Sequence, residues 1–199
     1  VAAYYELDLL HVHYAIPHSI SAYLAREMLA RQNRRLPFIT TLHGTDITLV
    51  GLDHSYLPIT RFGIDESDGV TAISGYLRDK TLQEFQPKRA IEVIPNFVNC
   101  DVYLPLGEPE REAGRARYAA PGEKILMHLS NFRPVKRTAD VVRIFSRIAR
   151  EIPARLLMIG DGPDRSAAEW IAHRKGIQDR VHFLGKQSNV SEILPLADL

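Results

Sequence analysis

Hydrophobic residues along this chain alternate between short continuous runs and segments in which they recur every three to four positions. The runs at 7–12 (LDLLHV), 36–42, 69–74 and 91–95 have the length and composition of buried strands, whereas 19–31, 57–67 and 75–85 carry helical periodicity. Ser19 and Ser74 stand where the first and third of these helices need an N-cap. Residues 96–123 break the rhythm with prolines, glycines and clustered charge, and read as a connector with room for one short helix. The alternation then resumes, with strands at 124–130, 154–160 and 180–185 and helices at 138–152, 165–176 and 189–197. Within 138–152, Val141, Val142, Phe145, Ile148 and Ile152 mark one apolar face.

Strands alternating with helices across short connections predict an α/β fold, with parallel strands covered by helices on both faces. The pattern divides into two Rossmann-like units, at 1–103 and 124–199, joined by a linker at 104–123. Open parallel sheets bind ligands beyond the carboxyl ends of their strands. The segments to inspect are therefore HVHYAIPH, TLHGTD, TAISGY, HLSNFRPVKR, MIGDGPD and FLGKQSN.

Composition narrows the picture. A chain of 199 residues that is 45% hydrophobic and 25% charged has the balance of an ordinary globular protein. With 25 basic and 24 acidic residues the net charge is +1, so bulk electrostatics gives no reason to expect nucleic acid or an anionic membrane as partner. Cys100 is the only cysteine, which rules out an intrachain disulfide and fits a reducing, cytoplasmic setting. No apolar run is long enough for a membrane span, and a homo-oligomer stays open.

Several segments can carry chemistry. In SNFRPVKR, a strand leads into a helix through Arg133, Lys136 and Arg137. Cations at a helix N-terminus oppose the helix dipole, so three together argue for a bound anion, and a guanidinium beside an ammonium suits a diphosphate. The competing reading is a solvated first turn. GDGPD places Gly160 and Gly162 at a strand end, but Arg165 occupies the sixth position of what would be G-x-G-x-x-G, and on this segment alone a simple strand-to-helix turn is the better reading.

His11 and His13 project to one side of a strand and, with His128 and His182, raise the picture of a metal-dependent hydrolase. His182 falls at the start of its strand, however, and no Asp-x-Asp pair is present to hold a divalent ion on a diphosphate. Cys100 has no base beside it and reads as an inert thiol. Finally, TLHGTDI ends a strand: a turn there needs Gly44, but it does not need His43.

Taken together, HVHYAIPHSISAYLA, TLHGTDIT, IDESDGVTAIS, IEVIPNFVN, LSNFRPVKR, IGDGPD and VHFLGKQ resemble the retaining GT-B glycosyltransferases of family four. HGTD with SNFRPVKR is the specific pair, while GDGP is shared with many relatives. Within the family the likeness is to the bacillithiol-pathway branch that moves N-acetylglucosamine from UDP-N-acetylglucosamine to L-malate.

The resemblance implies two Rossmann-like domains facing a cleft, acceptor on the N-terminal half, nucleotide sugar on the C-terminal half, and neither metal nor cofactor. It assigns Arg133 and Lys136 to a catalytic diphosphate clamp that Arg137 shares. Gly160, Gly162 and Lys186 fall on the donor side, with Gln187 nearby. His43 becomes the catalytic residue that stabilises positive charge at the anomeric carbon, with Gly44 letting the backbone approach. Asp46 is expected to cap the following turn rather than act as a base. The malate carboxylates would fall to Arg61, with Tyr14 and Thr41 as supporting donors, although Arg61 reads equally well as a surface residue.

The family's glycine-rich loop would precede Val1 and its glutamate pair would follow Leu199. The 199 residues are therefore expected to be an internal portion of a longer enzyme, with both domains incomplete and little activity alone. A relative with another acceptor, or a non-catalytic nucleotide-binding module, fits the same residues.

Overall fold

The apolar runs of the first half form strands: β1 (Leu10–His13), β2 (Phe38–Leu42), β3 (Gly69–Ala72) and β4 (Ile91–Val93) pair in parallel, in that order. Between them lie α1 (Ile20–Ala30), α2 (Thr45–Thr48), α3 (Leu57–Glu66) and α4 (Gly75–Phe85). These coordinates are a computed structural model and describe residues 2, 4–48 and 53–199. Alternation of side chains sorts β2 and β3 into two faces. Leu42, Val70 and Ala72 enter a core with Ile47, Ile64, Leu77 and Phe85, while Ile39, Thr41 and Thr71 point to the opposite face.

Ser74 caps α4 as expected, accepting from the Leu77 amide at 3.2 Å. Ser19 does not cap α1. A turn over Ala15–Ser19 winds directly into the helix, and the buried Ser19 hydroxyl donates inward to the Ala15 carbonyl. Gly63 of α3 packs against this hydroxyl so closely that any side chain there would overlap it.

In the second half, β5 (Lys124–Leu129), β6 (Ala154–Ile159) and β7 (Val181–Gly185) form a parallel sheet with β6 in the centre. The helices are α5 (Glu108–Arg115), α6 (Thr138–Glu151), α7 (Arg165–Arg174) and α8 (Val190–Ile193). β6 is buried on both faces: Leu156 and Met158 pack with Phe132, Val142, Phe145 and Ile171, and Leu157 and Ile159 with Ile125, Ile193 and Leu196. Ile152 does not join the apolar face of α6, because the helix ends at Glu151 and Ile152 is extended and exposed. The helix expected over 189–197 stops at Ile193 and continues only as a tight turn over Leu194–Leu196. Pro195 has no amide to continue the ladder.

By their internal contacts the residues form two compact units, Val1–Phe97 and Val98–Leu199. Residues 104–123 belong to the second unit instead of bridging. Arg111 donates to the carbonyls of Pro195 and Ala197, and Arg115 to those of Leu196 and Glu123, while both guanidiniums pair with Asp198. Charge that reads as solvent-facing in the sequence thus satisfies the carbonyls of a remote turn. Among the described residues no helix is long and apolar enough to cross a membrane.

Candidate active site

Register builds the first cluster. His13 of β1 pairs with Thr41 of β2, and Thr41 with Thr71 of β3, which lays a polar row across three strands. His11, two residues before His13, shares its face. His11 Nε2 lies 2.7 Å from Thr41 Oγ1, and that hydroxyl lies 2.7 Å from Thr71 Oγ1. His43, the first residue beyond β2, brings its Nε2 within 2.7 Å of His13 Nδ1. The rings gather accordingly, with centroids 4.7 Å apart for His11 and His13, 4.9 Å for His13 and His43, and 5.0 Å for Tyr14 and His43. His11, His13, Thr41, His43 and Thr71 line a cavity of about 490 Å³ whose remaining walls include Ile39, Ile94 and Phe97.

The loop that carries His43 is fixed by Asp46, whose side chain is buried. One carboxylate oxygen accepts from the amides of Gly44 (3.0 Å) and His43 (3.3 Å), as a cap would. The other accepts from the Ala15 amide at 2.8 Å and ties this loop to the one following β1. Gly44 has φ +117°, a conformation that residues with side chains rarely adopt. Burial, and then the neighbouring His13, hold the His43 imidazole below its ordinary pKa of 6.5. His11 adds to this, and Asp46 partly opposes it.

Of the acceptor candidates, the Tyr14 ring lies tilted against His43, and Thr41 lines the His43 cavity with its hydroxyl already engaged by His11 and Thr71. Arg61 stands on α3, exposed, with Asp65 one turn along at 3.7 Å, and does not line the His43 cavity.

The second cluster lies at the carboxyl edge of the other sheet. Phe132, fully buried, anchors the loop after β5 in the core and leaves Arg133 and Lys136 exposed on either side of a short turn. Among the described residues neither has a carboxylate partner. Arg137 differs, since its guanidinium is held by Asp140 of its own helix at 2.7 Å. The three cations read from the sequence are thus two unpaired and one committed. His128 Nε2 lies 2.8 Å from Ser130 Oγ at the base of this loop. Burial, and secondarily the Lys136 charge, hold its pKa below 6.5.

Gly160 and Gly162 press the turn after β6 against this loop. A Cβ on Gly160 would overlap the Ser130 carbonyl oxygen, and one on Gly162 the Asn131 carbonyl oxygen. The Asp164 amide donates to the Phe132 carbonyl at 3.0 Å, and the Gly160 amide to the Gly185 carbonyl at 2.8 Å. The loops after β5, β6 and β7 therefore sit side by side, with Lys186 exposed just past β7. The glycines supply backbone-on-backbone packing beneath the cations.

Among the described residues no group of three or more His, Cys, Asp or Glu is arranged to hold a metal ion. His11 and His13 bond to Thr41 and His43, and His128 and His182 belong to the other unit. Sequence reasoning missed the His13–His43 bond and the role of Thr71, because both depend on strand register.

A sequence profile described as Glycosyltransferase Family 4 matches residues 1–102, and one described as Glycosyl transferases group 1 matches residues 110–199. The N-acetyl-alpha-D-glucosaminyl L-malate synthase of Bacillus anthracis is 46% identical over 201 residues, covering 100% of this chain and 51% of that protein. A GDP-mannose-dependent alpha-(1-6)-phosphatidylinositol monomannoside mannosyltransferase of Mycolicibacterium smegmatis is 28% identical over 171 residues, 85% of this chain and 43% of its own length. The chain spans about half the length of the curated relatives it matches. Among solved structures, Anabaena HepE in complex with UDP aligns with a TM-score of 0.77 at 17% identity, over 98% of this chain and 53% of that one. Sucrose-phosphate synthase from Thermosynechococcus elongatus aligns with a TM-score of 0.73 at 19% identity, over 99% and 50%. At these identities the structural likeness is one of fold.

Proposed function

The chain belongs to glycosyltransferase family 4, and from that premise we propose that it is part of a retaining, metal-independent enzyme that transfers N-acetylglucosamine from UDP-N-acetylglucosamine to L-malate. The observation that carries the choice of substrates is the 46% identity to the malate synthase along the whole of this chain, which spans 51% of that protein. The unpaired cations beside the interlocked glycine turns support the chemistry. Arg133 and Lys136 would hold the diphosphate, neutralising the charge that grows on UDP as the glycosidic bond breaks. The malate hydroxyl oxygen attacks the anomeric carbon on the face that UDP leaves, and its proton passes to the departing phosphate oxygen. His43 would face the sugar as positive charge develops there. Asp46 is given no role as a base, since its oxygens accept from three amides and fix the loop.

Isothermal titration with UDP tests the donor assignment. We expect binding that EDTA leaves unchanged and that Arg133→Ala with Lys136→Ala weakens about tenfold or more, in line with loss of charged hydrogen bonds. Chelator-sensitive binding, or binding indifferent to the double substitution, overturns it. A different acceptor is the second reading, favoured by the engagement of Thr41 and Arg61 with neighbours. A product assay on the full-length protein across hydroxy acids separates the two. A Michaelis constant for malate that Arg61→Ala leaves untouched removes Arg61 from the acceptor site.

A further inference from the structure

The reaction outlined above uses His43 but gives no task to the imidazole bonded to it. Gly44 and Asp46 shape the His43 loop through backbone contacts alone, and these leave the ring free to turn about its own bonds. What holds the ring is His13, whose Nδ1 lies 2.7 Å from His43 Nε2. Two imidazoles at that separation share one hydrogen, because a second would set two N–H groups head to head. His13 is itself fixed by pairing of β1 with Thr41 and by the His11 ring 4.7 Å away. The His13 carbonyl also accepts from His18 Nδ1 at 2.6 Å. The titratable groups around His43 are thus His11 and His13 from β1, Tyr14 and His18 from the turn after it, and Asp46 from α2.

We propose that His13 is a positioning residue for His43: it accepts the Nε2 hydrogen of His43, and so keeps the lone pair of Nδ1 turned toward the place where positive charge develops on the sugar. The hydrogen bond made by one ring nitrogen sets the state of the other. A lone pair attracts an electron-poor anomeric carbon, whereas an N–H in the same place repels it. The remaining groups favour the neutral pair. Burial and the adjacent imidazoles disfavour a further proton on His43, with only Asp46 opposing. The inference rests on the assignment of His43 to the donor sugar.

The test compares His13→Leu, His13→Asn and His43→Ala in the full-length protein. His13→Leu is expected to lower kcat about tenfold, the scale of one lost hydrogen bond, with the KM for UDP-N-acetylglucosamine within about twofold. His13→Asn places an amide oxygen near the former Nδ1 and is expected to restore most of kcat. Nitrogen-15 NMR should find the hydrogen of neutral His43 on Nε2. Equal losses in the Leu and Asn variants, or a hydrogen on Nδ1, overturn the proposal. So does an undiminished kcat in His13→Leu while His43→Ala is impaired, which leaves the assignment of His43 standing. If His43→Ala itself keeps full kcat, that assignment fails and this inference falls with it.

Discussion

His43 and His128 have depressed pKa values, which links protonation to stability. Burial is the largest cause in both, followed by His13 for the first and Lys136 for the second. Below pH 6.5 the unfolded chain therefore binds more protons than the folded one. The stabilisation is complete above that value and is lost as pH falls through the lowered ones. Denaturant midpoints measured from pH 7.5 down to 5.5 should decline, and His128→Gln should flatten the part contributed by the second unit. Asp46 offers a sharper test. Asp46→Asn replaces one acceptor oxygen by a donor, leaving either the Ala15 amide or the His43 and Gly44 amides unanswered in a buried place. A cost of about 1–3 kcal/mol is expected in urea unfolding. The histidine in the HGTD turn is conspicuous in the sequence because a bare turn has no use for it. Its partner is not, because thirty residues separate His13 from His43 and only strand register brings them together.

Elements were legible where periodicity was strong and ambiguous where a distant group decided the outcome. Every apolar run became a strand, and α6 follows its spacing down to Glu151. The stretch at 104–123 looks like a tether since partners for most of its bonds lie far along the chain: Arg111 and Arg115 reach carbonyls more than eighty residues away. Arg115→Ala should therefore destabilise the second unit by roughly 2–3 kcal/mol, as two carbonyls and Asp198 lose a largely buried charged donor. Circular dichroism melts of the two proteins would measure this. Gly160→Ala should act through sterics. The turn at Gly160 has φ +117° and no space beside the Ser130 carbonyl, so a loss of about 3 kcal/mol or more is expected in the same melts.

For the molecule as a whole, two units that each have their own buried clusters predict unfolding that need not be a single transition. Trp170, the only tryptophan, lies on α7, so its fluorescence reports the second unit. Saturating UDP should raise the tryptophan-detected midpoint, by about 2.7 kcal/mol of stabilisation at a hundredfold excess over Kd, and should fail to do so in the Arg133→Ala, Lys136→Ala chain. The α/β class and the two-unit plan follow from the alternation of periods, whereas the interlocking of turns could not be read from it.

That interlocking has a consequence for adaptation. The GDGPD turn and the SNF segment meet carbonyl against glycine, so the residues leading into Arg133 and Lys136 are pinned to the neighbouring turn. Evolution can retune the charge displayed here by exchanging side chains, but it cannot loosen the scaffold by degrees. Any bulk added at either glycine displaces both ribbons at once, so the placement of the two cations and the fold beneath them are disturbed together.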